Sequence, residues 1–174
     1  MGILDRFSGL LRNDRRGPER PTRVDRVAPW MFIGPQLLID QYADLRQRGV
    51  THIVDLREEA SDDPDALQAM GFHWRRIPIP DRHAPSHEQL ATLIRWLDSD
   101  ADPNVDQAVY IHCHAGQGRT PAVAIALLMQ HDLTLGEAHR LVRAARPESS
   151  PTAAQLAWLE DVEARLKARR LAGD

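Results

Sequence analysis

One cysteine, Cys113, and one lysine, Lys167, are all that the 174 residues contain of either type. A lone cysteine excludes an intrachain disulfide and fits a reducing compartment, so a cytoplasmic location is the expectation. No apolar run approaches the roughly 20 residues that span a bilayer. A net charge of −3 gives no general attraction to nucleic acid, and no nucleic-acid partner is expected. Metal-ligand spacing is also missing: His83 and His87 straddle Pro85 off helical register, and His112 and His114 are alternate residues that cannot converge on one ion. Neither a metal nor another cofactor is expected. The remainder, 43% hydrophobic and 27% charged, suits one globular domain with a real core.

Residues 1–22 read as a basic tail, with Arg12, Arg15, Arg16 and Arg20 interrupted by Gly17, Pro18 and Pro21. Ile3, Leu4, Phe7, Leu10 and Leu11 form a helical stripe of the kind that lies on an anionic membrane, although a short helix packed on the domain or a frayed terminus has the same pattern and ranks ahead of it. Asp5 and Arg6 break the stretch and argue against a signal peptide, and Arg6 stands where a myristoylation site wants Ser or Thr. Residues 23–174 read as a single catalytic domain.

Within that domain, strands and helices alternate. One or two strands broken at Pro29 are expected over Val24–Gly34, then a helix from about Ile39 to Arg48, a strand from Thr51 to Leu56, a helix from Asp62 to Met70 and a strand from Phe72 to Ile77. The run Asp55-Leu56-Arg57-Glu58-Glu59 is expected to point polar groups out of the sheet. Residues 77–87, with prolines at 78, 80 and 85, read as a stiff excursion and not a strand. Ser86 and Gln89 then cap a helix to Asp98, and Thr134 and Glu137 another to about Arg146. An apolar helix over Pro121–Gln130 and an amphipathic one over Pro151–Arg170, with Leu156, Leu159, Val162 and Leu166 as its core stripe and Trp158 for packing, complete the chain. The expected fold is α/β, a largely parallel sheet of four to five strands flanked by helices, with ligands beyond the carboxyl ends of the strands.

The chemistry concentrates between Val109 and Thr120, V-Y-I-H-C-H-A-G-Q-G-R-T. An apolar strand delivers His112 and Cys113 into a loop, and Arg119-Thr120 opens a helix. A phosphate dianion needs many donors in little space, and a loop curling into a helix N-terminus supplies them from backbone N–H groups. His114, Ala115, Gly116, Gln117 and Gly118 would form that loop, its glycines permitting the curl. Arg119 can offer a planar fork to two phosphate oxygens, which lysine cannot. The same field favours thiolate at Cys113, helped by the Thr120 hydroxyl and with His112 ordering the loop from behind. A buried, inert cysteine is the commoner fate of that residue type, but a chance match to the surrounding pattern is on the order of 10⁻⁶ per cysteine.

A departing alkoxide or phenoxide needs a proton. Asp81, after Pro80 and 32 positions ahead of Cys113, sits on a loop able to bring a carboxylic acid to it. Asp55, also at a strand end, is the rival. Arg75, Arg76, Arg82 and His83 could attract an anionic substrate, although such charges more often form a solvated face.

His112-Cys113-His114-Ala115-Gly116-Gln117-Gly118-Arg119-Thr120 resembles the H-C-x5-R-[ST] signature of cysteine-dependent protein tyrosine phosphatases, most closely the dual-specificity branch. The resemblance extends from about Asp25 to Glu160. It implies a phosphocysteine formed on Cys113, phosphoryl binding by Arg119, departure of the thiolate assisted by Thr120 and Asp81 as the acid, with Asp55 and its neighbours structural. It implies a phosphorylated substrate, with protein first and phosphoglucan or phosphoinositide as alternatives. A non-catalytic phosphate-binding module and a rhodanese-like sulfurtransferase are the competing readings. Low-molecular-weight phosphatases and arsenate reductases place a similar loop near the chain start with the acid after it, the reverse of the order here.

Overall fold

The computed structural model describes residues 23–99 and 107–173; the N-terminal stripe and its membrane reading lie outside them. Five strands form one sheet in the order β1-β2-β5-β3-β4. β1 (Asp25–Ala28) and β2 (Met31–Gly34) make an antiparallel pair that turns at Pro29. β2, β5 (Ala108–His112), β3 (Val50–Arg57) and β4 (His73–Ile79) run parallel. Parallel pairing needs crossovers. α1 (Tyr42–Gln47) leads into β3, α2 (Pro64–Ala69) joins β3 to β4, and α3 (His87–Ser99) follows β4. α4 (Arg119–Met129), α5 (Leu135–Ala145) and α6 (Ala153–Ala172) form the closing helical layer. Among the described residues no helix is long and apolar enough to cross a membrane.

Period-two alternation along the strands sorts side chains between two cores. Met31, Ile33, Val54, Leu56, Val109 and Ile111 face α3 to α6, whereas Phe32, Ile53 and Tyr110 pack with Tyr42, Leu45 and Leu67 of α1 and α2. α4 carries no charge beyond Arg119 and is buried along its whole length between the sheet and α5 and α6. This anchors the loop that precedes it.

Caps read from sequence form as expected. Ser86 and Gln89 bond reciprocally before α3, at 3.1 and 2.8 Å, and Thr134 and Glu137 do so at α5. α6 has a third such box, Thr152 with Gln155, and its buried stripe is Gln155, Trp158, Leu159 and Val162, with Leu156 and Leu166 only partly covered. Two expectations need correcting. β4 continues through Pro78 to Ile79, where an excursion was expected. An edge strand tolerates a proline, and the register slip between Asp55 and Arg57 falls opposite the residue that has no N–H to give. Asp55 and Arg57 do not point outward but are buried. Their ladder position opposite His112 turns Asp55 towards α1 and α2, where Arg57 folds back on it.

Candidate active site

The carboxyl ends of β3, β4 and β5 open on a cleft of about 760 Å³. Cys113, Arg119 and Asp81 all line it, from the end of β5, the start of α4 and the loop after β4. Cys113 is 3% exposed, and its Sγ accepts the Gly116 N–H at 3.2 Å. Gly116 has φ +68°, and a Cβ there would come within 2.4 Å of the Gly34 carbonyl oxygen, so only glycine fits. Gly118 does not need that freedom, since its φ is −112°. Its bare Cα leaves room for the Gln155 side chain, which a Cβ would meet at 3.3 Å. Gly118 is the N-cap of α4 and brings no side-chain cap. The first N–H groups of α4 are therefore left to the cleft.

Arg146, buried at the end of α5, explains how the loop is held open. Its guanidinium donates to the Gly116 and Ala115 carbonyls at 2.7 and 3.0 Å and pairs with Asp25 at 2.8 Å. A peptide plane whose C=O is drawn backward sends its N–H the other way, here into the cleft. Gln36 N–H to the His114 carbonyl at 3.1 Å and Ser150 N–H to the Gln117 carbonyl at 2.7 Å add two further ties, while the His114 and Gln117 residues are exposed. Arg146→Met removes a donor from the Ala115, Gly116 and Arg23 carbonyls and leaves Asp25 with the exposed Arg23 as its partner. It is expected to lower the unfolding free energy by about 3 kcal/mol in a denaturant titration, against about 0.5 kcal/mol or less for the exposed Arg143→Met. Equal midpoints for the two variants would remove Arg146 from this account.

Arg119 is 2% exposed, and Glu59 fixes it with two bonds of 2.7 Å, while Nη1 also donates to the Ile79 carbonyl. The hydrogen bond raises Arg119 above its ordinary value and lowers Glu59 to about 2. The outward edge of the guanidinium lies 3.3 Å from Asp81 Oδ1. Of the basic residues considered as an anion attractor, Arg82 reaches the cleft lining, whereas Arg76 is spent on the carbonyls of Arg57 and Glu58.

Behind the loop, His112 Nε2 meets Asp62 Oδ2 at 2.8 Å, and Tyr42 and Arg57 donate to the same carboxylate at 2.9 and 2.5 Å. Burial alone would raise the Asp62 carboxyl, but the His112 and Tyr42 hydrogen bonds and the charges of His112 and Arg57 outweigh it and hold it below its usual value. Asp55, Asp62 and His112 lie close enough to share a cation. Arg57 already supplies one, bonding Asp55 through Nε and Nη2 at 2.8 Å each, so the donor set does not fit a resident metal. Thr120 Oγ1, expected beside the sulfur, is buried without a hydrogen-bond partner among the described residues.

Sequence reasoning missed Glu59, Asp62, Arg146 and Gln155. Glu59 was passed over with a segment set down as structural, and Arg146 before Pro147 carries no local signal. Thr152-x-x-Gln155 was legible as a capping box.

Residues 31–133 match the family model described as a DSP-PTPase phosphatase of polymorphic toxin systems. Human dual specificity phosphatase 28 is 30% identical over 159 residues, which cover 89% of this chain and 87% of that protein. The phosphatidylglycerophosphate phosphatase PTPMT1 of Arabidopsis thaliana is 28% identical over 143 residues, 80% of this chain and 41% of that protein. The crystal structure of Tk-PTP in the active form superposes with a TM-score of 0.72 at 30% identity, covering 84% of this chain and 99% of that one. Several curated dual specificity relatives are much longer, and the chain spans 21% to 36% of their length.

Proposed function

The chain belongs to the dual-specificity phosphatase-like superfamily, and we propose that it hydrolyses phosphate monoesters through a phosphocysteine, with phosphotyrosine or mixed phosphoprotein substrates. The reading is carried by one observation: Cys113, Arg119 and Asp81, from three separate elements, line one cleft. Cys113 thiolate attacks phosphorus, and the S–P bond forms as the P–O bond to the leaving group breaks. Asp81 gives its proton to the departing oxygen. Water then attacks phosphorus and passes a proton to the Asp81 carboxylate, and the S–P bond breaks to return thiolate, with Thr120 assisting its departure. Arg119 and the N–H groups of residues 114 to 119 hold the phosphoryl oxygens, and developing negative charge meets donors already in place. His112, held by Asp62, orders the loop from behind, and Glu59, bonded to both Nη atoms of Arg119, fixes the orientation of the guanidinium.

PTPMT1 bears the name of a lipid-phosphate phosphatase, which keeps a non-protein substrate as the second reading. The description of the matching family supports a place in a polymorphic toxin system. An unpaired Cys113 is compatible with work in a reducing compartment.

Phosphate release is measured with a metal chelator present and Cys113→Ser as the blank, on phosphotyrosine and phosphoserine peptides, a phosphoinositide and a phosphoglucan. Cysteine-dependent release led by a phosphopeptide in kcat/KM is the expected result. A lead for the phosphoinositide or phosphoglucan transfers the assignment to the second reading, and silence from a folded protein across the panel overturns the phosphatase reading in favour of a binding module.

A further inference from the structure

An acid that donates to a leaving group must be in place when the P–O bond breaks, and an aspartate 72% exposed on a loop has no intrinsic reason to be there. The loop after β4 is a tight turn: His83 N–H bonds the Pro80 carbonyl at 3.1 Å, Arg82 adopts φ +64°, and His83 Nδ1 lies 2.8 Å from the Asp81 carbonyl. The contacts that tie this turn down come from the other end of the domain. Thr152 Oγ1 donates to the Arg82 carbonyl at 3.0 Å, and Gln155 Nε2 donates to the His83 carbonyl at 2.9 Å. The two residues that follow Asp81 are thus both bonded to the first turn of α6.

The donors are themselves fixed. Gln155 is fully buried, its Oε1 accepts the Thr152 N–H at 2.8 Å, and its side chain lies against Gly118. Thr152 Oγ1 also receives the Gln155 N–H at 3.3 Å. Just upstream, Ser150 is bonded to Gln117 of the phosphate loop. One short stretch of chain therefore holds the acid turn and the phosphate loop in a common frame. Each such hydrogen bond favours the docked loop by roughly two- to tenfold.

We propose that Thr152 and Gln155 are positioning residues that latch the Asp81 turn onto α6, so that the acid stands beside Arg119 before substrate arrives. This rests on the phosphatase reading above for its catalytic consequence, although the latch itself is a matter of structure. On this reading the acid turn is held before substrate binds, and substrate binding energy is not needed to bring it in.

Thr152→Asp separates the latch from the cap. Aspartate caps a helix well but has no proton to give the Arg82 carbonyl, whereas Thr152→Asn keeps both an acceptor and a donor. Gln155→Met removes the second donor at similar volume. With aryl phosphates of graded leaving-group acidity, Thr152→Asp and Gln155→Met are expected to lower kcat about tenfold for phenyl phosphate. KM should stay within about twofold, and so should the pre-steady-state release of dinitrophenol from dinitrophenyl phosphate, which reports the first step alone and whose leaving group needs no proton. Thr152→Asn should follow the parent. Equal losses on both substrates, no loss on phenyl phosphate, or a Thr152→Asn as impaired as Thr152→Asp would overturn the latch. Amide hydrogen exchange gives a readout independent of turnover: residues 81–85 should exchange faster in Thr152→Asp while α6 keeps its protection, and unchanged exchange there would also overturn it. A parent protein that releases no phosphate defeats the phosphatase reading and leaves the exchange result to decide the latch.

Discussion

Cys113→Ser is expected to lower turnover by roughly 10⁴-fold or more while leaving phosphate-ester affinity within a few-fold of the parent. A serine hydroxyl at this position is almost wholly protonated and a poor leaving group from phosphorus, so both halves of the reaction fail. The donors that bind the ester are elsewhere, in the loop amides and in Arg119, whose fork is set by Glu59 and the Ile79 carbonyl. The substitution is nearly isosteric and buried, and the Gly116 N–H that now meets Sγ offers the new hydroxyl a partner. The fold should therefore persist. Binding is read by calorimetry with a phosphotyrosine peptide and turnover by phosphate release. Turnover near the parent rate would end the nucleophile assignment, and loss of binding together with turnover would indicate that the loop had collapsed.

Asp81→Asn carries the second large effect, a fall in kcat of roughly 10² to 10⁴ for poor leaving groups with loss of the basic limb of the pH–rate profile. The side chain is largely exposed, and Arg119 keeps both bonds to Glu59 without it, so neither stability nor binding should change much. A basic limb that survives the substitution would put the acid elsewhere. Glu59, which like Glu58 lines the cleft, is the carboxylate bonded to Arg119, and its chemistry rules it out as the donor. Held by Arg119, it titrates at about 2, stays ionised through neutral pH and has no proton to donate. The same depression stabilises the fold above the carboxyl's ordinary value, about 4.5, and that contribution is lost as pH falls through about 2. Because the side chain is nearly half exposed, the effect is small, and the pairing matters for geometry more than for stability.

The two acids considered from sequence part company for a topological reason. Asp55 lies near the carboxyl end of β3, and Asp81 just beyond the carboxyl end of the parallel β4. In β3, however, Asp55 is opposite His112 across the ladder, which turns it away from the cleft into a pocket with Arg57 and Asp62. Strand alternation would predict that separation once the register is known, and the register is a pairing between residues 57 apart in the chain. Pro78 misled in the opposite direction. Proline argues against a central strand, and only the strand order reveals that β4 is an edge, where it is tolerated.

By itself the amino-acid sequence determined what is local and chemically exacting. The H-C-x5-R-T run, with a glycine at 116 that no other residue can replace, identified the family. Alternating apolar strands and capped helices identified an α/β fold, because periodicity and capping depend on neighbours a few residues apart. Only the tertiary structure decided how the site is supported. Glu59 on Arg119, Asp62 on His112, Arg146 on the loop carbonyls, and Thr152 and Gln155 on the acid turn span 30 to 72 positions of sequence. Such contacts leave no periodic trace, since a side chain that reaches across the fold is placed by the packing of two elements and not by the residues beside it.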